Sequence, residues 1–196
     1  MKLRRLTAYI IDITLIGFIA SAVASIKVLN PYYDNYLDSY EEFNETLSNI
    51  DEDNIKEVLT SDRLITQFQD CLKYSTYQSG ISLVCYLLYF VGFQKWNKNQ
   101  TVGKKLMRLK IVSASGKEQV SLWQYILRTI IAYNLLLPSL CIVMSLYLKG
   151  KLFLVTLVTL NIIGYIITYI DYLMVLIRKD NRGLHDILAQ TKITEE

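Results

Sequence analysis

One histidine, three cysteines and two prolines are all that 196 residues contain of these types. A lone histidine, His185, with no cysteine cluster gives no ligand set for a transition metal. Cys71, Cys85 and Cys141 have neither zinc spacing nor a disulfide framework, and unpaired thiols of this kind pack as small apolar groups. No Walker loop, dinucleotide fingerprint, HExxH or serine-nucleophile elbow is present. The sequence therefore predicts no enzyme, no cofactor and no metal. The net charge of only +3 implies no nucleic-acid partner.

What the chain has in plenty is apolar side chains, 52% of the total, gathered in long blocks with the charges between them. A soluble helix would spread charges along one face. Spanning hydrocarbon takes about 20 mostly apolar residues, and four segments qualify, at about 6–26, 76–93, 122–147 and 152–177. Helix is the default spanning structure because each backbone group is then satisfied within its own segment. The expectation is an all-α, integral membrane four-helix bundle, a single domain over 1–196, with the lipid bilayer as its first partner.

Lysine and arginine set the orientation. With the N-terminus inside, fourteen lie on the inner side: Lys2, Arg4 and Arg5; Lys95, Lys98, Lys104, Lys105, Arg108, Lys110 and Lys117; Arg178, Lys179, Arg182 and Lys192. Six lie outside: Lys27, Lys56, Arg63, Lys73, Lys149 and Lys151. Both termini are expected in the cytoplasm. A cleaved signal peptide is disfavoured by Asp12 in the middle of the first apolar run.

Residues 27–75 hold eleven acids and four bases and read as an extracytoplasmic, acidic, helical insertion. Tyr36, Tyr40, Phe43 and Leu47 share one helical face, and Leu64, Ile65, Phe68 and Leu72 share another. The segment 34–70 is a solvated cap or the place where a protein partner docks. On the inner side, Leu109–Ser113 alternates like a strand and Ser115-Gly116-Lys117 reads as a turn, which predicts a short cytoplasmic β-like hairpin. Ser121 and Gln124 form a capping box at the start of the third span.

Ionisable residues inside spans are costly and face the bundle interior. Asp12, Arg128 and Asp171 each fall about 9 Å from the inner edge of their span, by the helical rise. They are expected to converge in one layer, with Arg5, on the face of Asp12, as a further partner. Such a layer serves an ion pathway or a structural lock. The stripe Asn161, Gly164, Thr168 and Asp171 packs or lines a wet cavity. Thr14, Gly17, Ser21 and Ser25 form a small-residue face suited to helix contact. Pro138 should kink the third span.

These residues together resemble the RDD family of membrane proteins. Arg5-x-x-Ala8-x-x-x-Asp12 is similar to the family's opening arginine and mid-helix aspartate. Thr101-x-Gly103-Lys104-Lys105, Leu109-Lys110-Ile111-Val112 and Gly116 resemble its cytoplasmic segment, and Arg128 falls where the family has an arginine. Arg182-Gly183-Leu184-His185-Asp186 with Thr191 resembles its closing motif. The resemblance implies a bacterial inner or plasma membrane protein and transport of some ligand, with cation/proton exchange as one version. Four helices rarely enclose a path alone, so a homo-oligomer is expected of a carrier. The rival expectation is a non-transporting scaffold or immunity-type protein. Gly183 is expected to end the fourth helix, and Asp186 to pin the tail by pairing with Lys104, Lys105 or Arg5.

Overall fold

The computed structural model describes residues 1–51, 54, 55, 58, 61–115 and 119–196, with the backbone alone at Pro138, Ile142, Ser145 and Leu146. Lys56, Gly116 and Lys117, placed above in loops and a turn, lie outside these residues. The chain is mostly helical, 73%, with one small sheet. In order run α1 (Lys2–Ala24), α2 (Tyr33–Ser48), α3 (Asp62–Trp96), α4 (Val102–Leu106), β1 (Leu109–Ser113), α5 (Leu122–Ala132), α6 (Leu136–Tyr147), α7 (Gly150–Ile177), α8 (Leu184–Leu188) and β2 (Thr191–Glu195). Among the described residues three helices are long and apolar enough to cross a membrane: α1, α3 and α7.

The third expected span is divided. α5 ends in a Schellman turn: Asn134 takes a left-handed φ of 50°, its N–H bonds Ile131 O at 3.2 Å, and the Leu135 N–H reaches back to Ile130 O at 2.9 Å. The break thus falls at 133–135, one turn ahead of the proline expected to cause it. Proline lacks an N–H for the carbonyl four residues earlier, which here belongs to Asn134, already outside the helix. The second span is longer than expected. It begins at Asp62 and contains a π-helical stretch, Leu88–Phe93.

The chain forms two compact units. The first comprises residues 1–20, 82–136 and 163–196, the second 21–81 and 137–162. In the first, the buried face of α1 repeats every four residues through Ala8, Asp12, Ile16 and Ala20, as a helix of 3.6 residues per turn requires. Ala8 joins Val91, Leu109, Ile111, Val120, Tyr125 and Ile193 in an apolar core. Ile16 packs with Tyr89 and Phe90.

Among the described residues the expected hairpin is not seen. β1 lies where the alternation placed it, but it pairs antiparallel with β2, Ile111 opposite Ile193 and Ser113 opposite Thr191. The physical reason is length and pattern. Few residues separate Ser115 from Ser121, which caps α5, so no return strand fits. The tail supplies Thr191 and Ile193 on the buried side, opposite Ser113 and Ile111.

In the second unit α2 lies on the start of α3 through Phe43 and Phe68, ring centroids 5.6 Å apart, and through Gln67, which donates to Glu42 at 2.8 Å. Leu64, Ile65 and Cys71 are buried. Gly150, at φ 60°, makes the tight α6–α7 turn, and Gln69 accepts its N–H at 3.2 Å. On the small-residue face of α1, Thr14, Ser21 and Ser25 are exposed, and among the described residues nothing lies within 4 Å of a Cβ placed on Gly17.

Candidate functional site

The buried charges of the first unit form two groups. The first is built on α4. Four N–H groups at a helix start lack partners within the helix, and here three of them are met from outside their own turn or by its cap. Val102 N–H donates to Tyr89 Oη at 3.1 Å, Gly103 N–H to Asp12 Oδ1 at 2.8 Å, and Lys104 N–H to Thr101 Oγ1 at 3.3 Å. Asp12, 1% exposed, also accepts from the Tyr89 hydroxyl at 2.7 Å and from the Thr101 hydroxyl. A carboxylate is well placed at the positive end of a helix. The π-helical stretch brings Tyr89 into position, a common use of such bulges.

Gly103 makes this approach possible. A Cβ there would overlap the Ala8 carbonyl oxygen and sit 3.0 Å from Asp12 Cγ.

Lys104 completes the group. Its ammonium lies 3.8 Å from Asp12 Oδ2, donates to Gln94 Oε1 at 3.1 Å and to Thr101 Oγ1 at 3.2 Å, and stands 5.8 Å over the Phe90 ring. Burial lowers its pKa to about 7; Asp12 opposes that shift, and the Arg128 and Arg5 charges add to it.

The second group is built on the tail. Asp186, fully buried, takes Arg5 Nη2 at 2.8 Å and Arg128 Nη1 on its two oxygens. Gly183 N–H donates to it at 3.3 Å and Thr191 Oγ1 at 3.4 Å. Burial by itself would raise this carboxyl, but Arg128, His185 and Arg5 hold it well below the usual carboxylate range. His185 lies between two acids. Nδ1 is 2.7 Å from Asp171 Oδ2, Nε2 is 3.3 Å from Asp186 Oδ2, and the His185 backbone N–H donates to Asp171 at 2.9 Å. Arg182 donates to the Thr191 and Asp186 carbonyls at 3.0 and 3.2 Å. Gly183 does not end α7. It precedes α8, and a Cβ on it would come within 2.7 Å of Asp171 Oδ1.

Asp12, Arg128 and Asp171 are all buried, but where the sequence led us to expect them to satisfy one another in one layer, among the described residues they do not bond one another. The acid that meets Arg128 is Asp186, and Asp171 faces His185. Spacing along the spans pointed to the burial of these groups but said nothing of the tail, which folds back and supplies the partners. Counting Asp186 and Lys104 with the rest, three carboxylates face three cations. Tyr89 and Gln94 gave no sign in the sequence, and Thr101 was visible only within its motif. Lys104 and His185 were visible only as part of the motifs. In the polar stripe of α7, Gly164 and Asp171 are buried, while Asn161 is exposed and bonds back to Leu157 O at 2.8 Å.

Beside both groups is a cavity of about 570 Å³ lined by Arg5, Tyr9, Lys104, Arg128, Tyr133, Asp171 and their apolar neighbours on α1 and α7. Tyr9 stacks on Tyr133 at 5.8 Å and meets Tyr172 edge-on at 5.9 Å.

Long helices that leave Phe18, Tyr165, Ile166 and Ile177 exposed while burying carboxylates and guanidinium groups are built for a bilayer, where the costs of exposing apolar and charged groups are reversed. These features define a membrane-type protein. The RDD family model matches residues 2–190, nearly the whole chain, and the chain belongs to that family. No curated protein and no solved structure matches it.

Proposed function

We propose that this RDD protein is a small membrane carrier coupled to protons or another cation, with Lys104 as its titrating group and Asp12 as the carboxylate that faces it. The observation that carries the reading is Lys104: a buried amine, near neutrality in its proton affinity, 3.8 Å from a buried carboxylate and on the wall of an open cavity. A group of this kind gains and loses a proton at physiological pH as its surroundings change. The network around Asp186 has each charge answered by a fixed partner and serves as the floor that holds α1, α5 and the tail together.

We infer four crossings, with α5 and α6 together making the divided one. Lys2 Nζ reaches Leu176 O at 2.5 Å and Arg5 reaches Asp186, so the start of α1 lies beside the end of α7. Ends that share one side require an even number of crossings. α7 covers about 40 Å along its axis, and α5 with α6 supplies the return. The excess of lysine and arginine on the side of the termini supports a cytoplasmic location for both.

The test is reconstitution into vesicles under Na⁺, K⁺ and H⁺ gradients with an internal pH dye. Cation-dependent proton movement is expected from the native chain and is lost in Lys104→Met and Asp12→Asn chains that still insert. Undiminished flux in Lys104→Met would remove the coupling role. The scaffold reading has its own support in the exposed Asp34, Asp38, Glu41 and Glu45 of α2, beside exposed Leu37 and Tyr40. Deleting residues 34–70 would abolish partner binding on that reading and leave flux intact on the carrier reading.

A further inference from the structure

The cavity beside the charged groups has an uneven lining. Its walls are apolar or aromatic for most of their area, whereas its charged members are Lys2, Arg5, Lys104 and Arg128 against a single acid, Asp171. That acid is turned to His185, which approaches both of its oxygens. Among the described residues Arg128 bonds through one terminal nitrogen alone, to Asp186 and to Thr191, and its remaining donors have no protein partner although the side chain is only 8% exposed. Lys2 has a carbonyl, Leu176 O, as its hydrogen-bond partner and no carboxylate. The mouth is flanked by Leu3, 79% exposed, Leu6 and Leu176, side chains that meet acyl chains in a bilayer. Tyr9 and Tyr172 add aromatic rings to the same wall.

We propose that this cavity binds an anionic phospholipid of the surrounding leaflet, its phosphate among Lys2, Arg5 and Arg128 and an acyl chain along Leu3, Leu6 and Val175. Planar guanidinium donors match phosphate oxygens, and basic pockets between spans on the inner side suit anionic headgroups. A free phosphate would use the cations and leave the apolar walls bare. A zwitterionic lipid would bring its own cation against Arg5 and Arg128. The volume lies within the range that encloses a small ligand or a headgroup with part of one chain. The site stands whether or not the protein carries a cargo.

The full chain, purified in detergent, is titrated with phosphatidylglycerol, phosphatidylcholine and inorganic phosphate, and bound species are read by native mass spectrometry. One phosphatidylglycerol is expected per chain, held about tenfold more tightly than phosphatidylcholine. Ala132→Phe fills the cavity without changing its charge and should weaken retention about tenfold. Lys2→Gln, at the exposed mouth, should weaken it about fivefold. Equal retention of the two lipids, or full retention by both variants, overturns the site. Displacement of the lipid by millimolar inorganic phosphate overturns the lipid as its occupant. If Ala132→Phe does not fold, Lys2→Gln and the headgroup comparison decide. Vesicle flux does not enter this measurement, so failure of the carrier reading and failure of the lipid site are told apart.

Discussion

Replacing Asp186 by asparagine keeps the shape of the side chain and removes the charge shared by two guanidinium groups. Arg5 and Arg128 are each 8% exposed at the side chain and Asp186 is fully buried, so water cannot take over as their partner. Removing one member of a buried pair, and so leaving the other charge uncompensated, costs about 3–5 kcal/mol. That is a large share of the roughly 5–15 kcal/mol by which folded chains are stable. For a chain of this length it corresponds to a fall in melting temperature of roughly 6–20 °C. A thiol-reactive dye gives the assay in detergent, since Cys71 is buried and free and becomes reactive on unfolding. Asp180→Asn is the control. Asp180 is held low, at about 2, by its hydrogen bond from Arg178, but that pair is exposed and its loss should leave the melting temperature unchanged. A double-mutant cycle with Arg5→Met should show strong coupling to Asp186. A fall of less than about 2 °C for Asp186→Asn, as an exposed pair would give, or additive effects with Arg5→Met, would refute the tail as an electrostatic anchor.

Two further outcomes follow from the group around Asp12. Lys104 has its pKa lowered from 10.5 to about 7 in the folded chain, so between those values the unfolded chain binds more protons; its contribution to stability therefore rises with pH across that window and is smallest below about 7. Melting curves should show this rise in the native chain relative to Lys104→Met, and parallel pH profiles for the two would refute it. Gly103→Ala adds a Cβ onto the Ala8 carbonyl and Asp12 Cγ. It should cost about 1–3 kcal/mol as an overpacked contact, read as a lower melting temperature, and an unchanged one would show that α4 does not rest against α1.

Much of the fold was legible because the bilayer imposes its demands on composition. The first and last spans are α1 and α7, since a long apolar run with a single buried charge has few other uses. The strand at Leu109–Ser113 was legible from its alternation, and the start of α5 from the reciprocal Ser121–Gln124 bonds, 2.9 and 3.3 Å. The division of the third span was not. Apolar content is the same on both sides of Asn134, and the signal for the break is one residue able to take a left-handed φ. Pairing of the strand was illegible for a different reason. Alternation fixes which face is buried but not which strand covers it, and the tail that does so is separated from β1 in the sequence by α5, α6, α7 and α8.

The charged groups make the same point more sharply. A charge within an apolar run has to be buried in the protein, and Asp12, Arg128 and Asp171 are buried. Partnership depends on what folds back, and here two short segments do so. One is the turn at Thr101–Lys104, whose N–H groups and ammonium surround Asp12. The other is the tail at Gly183–Thr191, whose Asp186 and His185 take Arg5, Arg128 and Asp171. A buried charge must find an opposite charge or a set of donors, and neighbouring spans are apolar nearly throughout. The partners therefore have to come from segments outside the spans, and those are the segments that carry the family's motifs. On this argument Arg5, Asp12 and Asp186 belong to one requirement, that α1 be fixed to two inner segments, and loss of either segment should loosen α1 even where its own apolar face is intact.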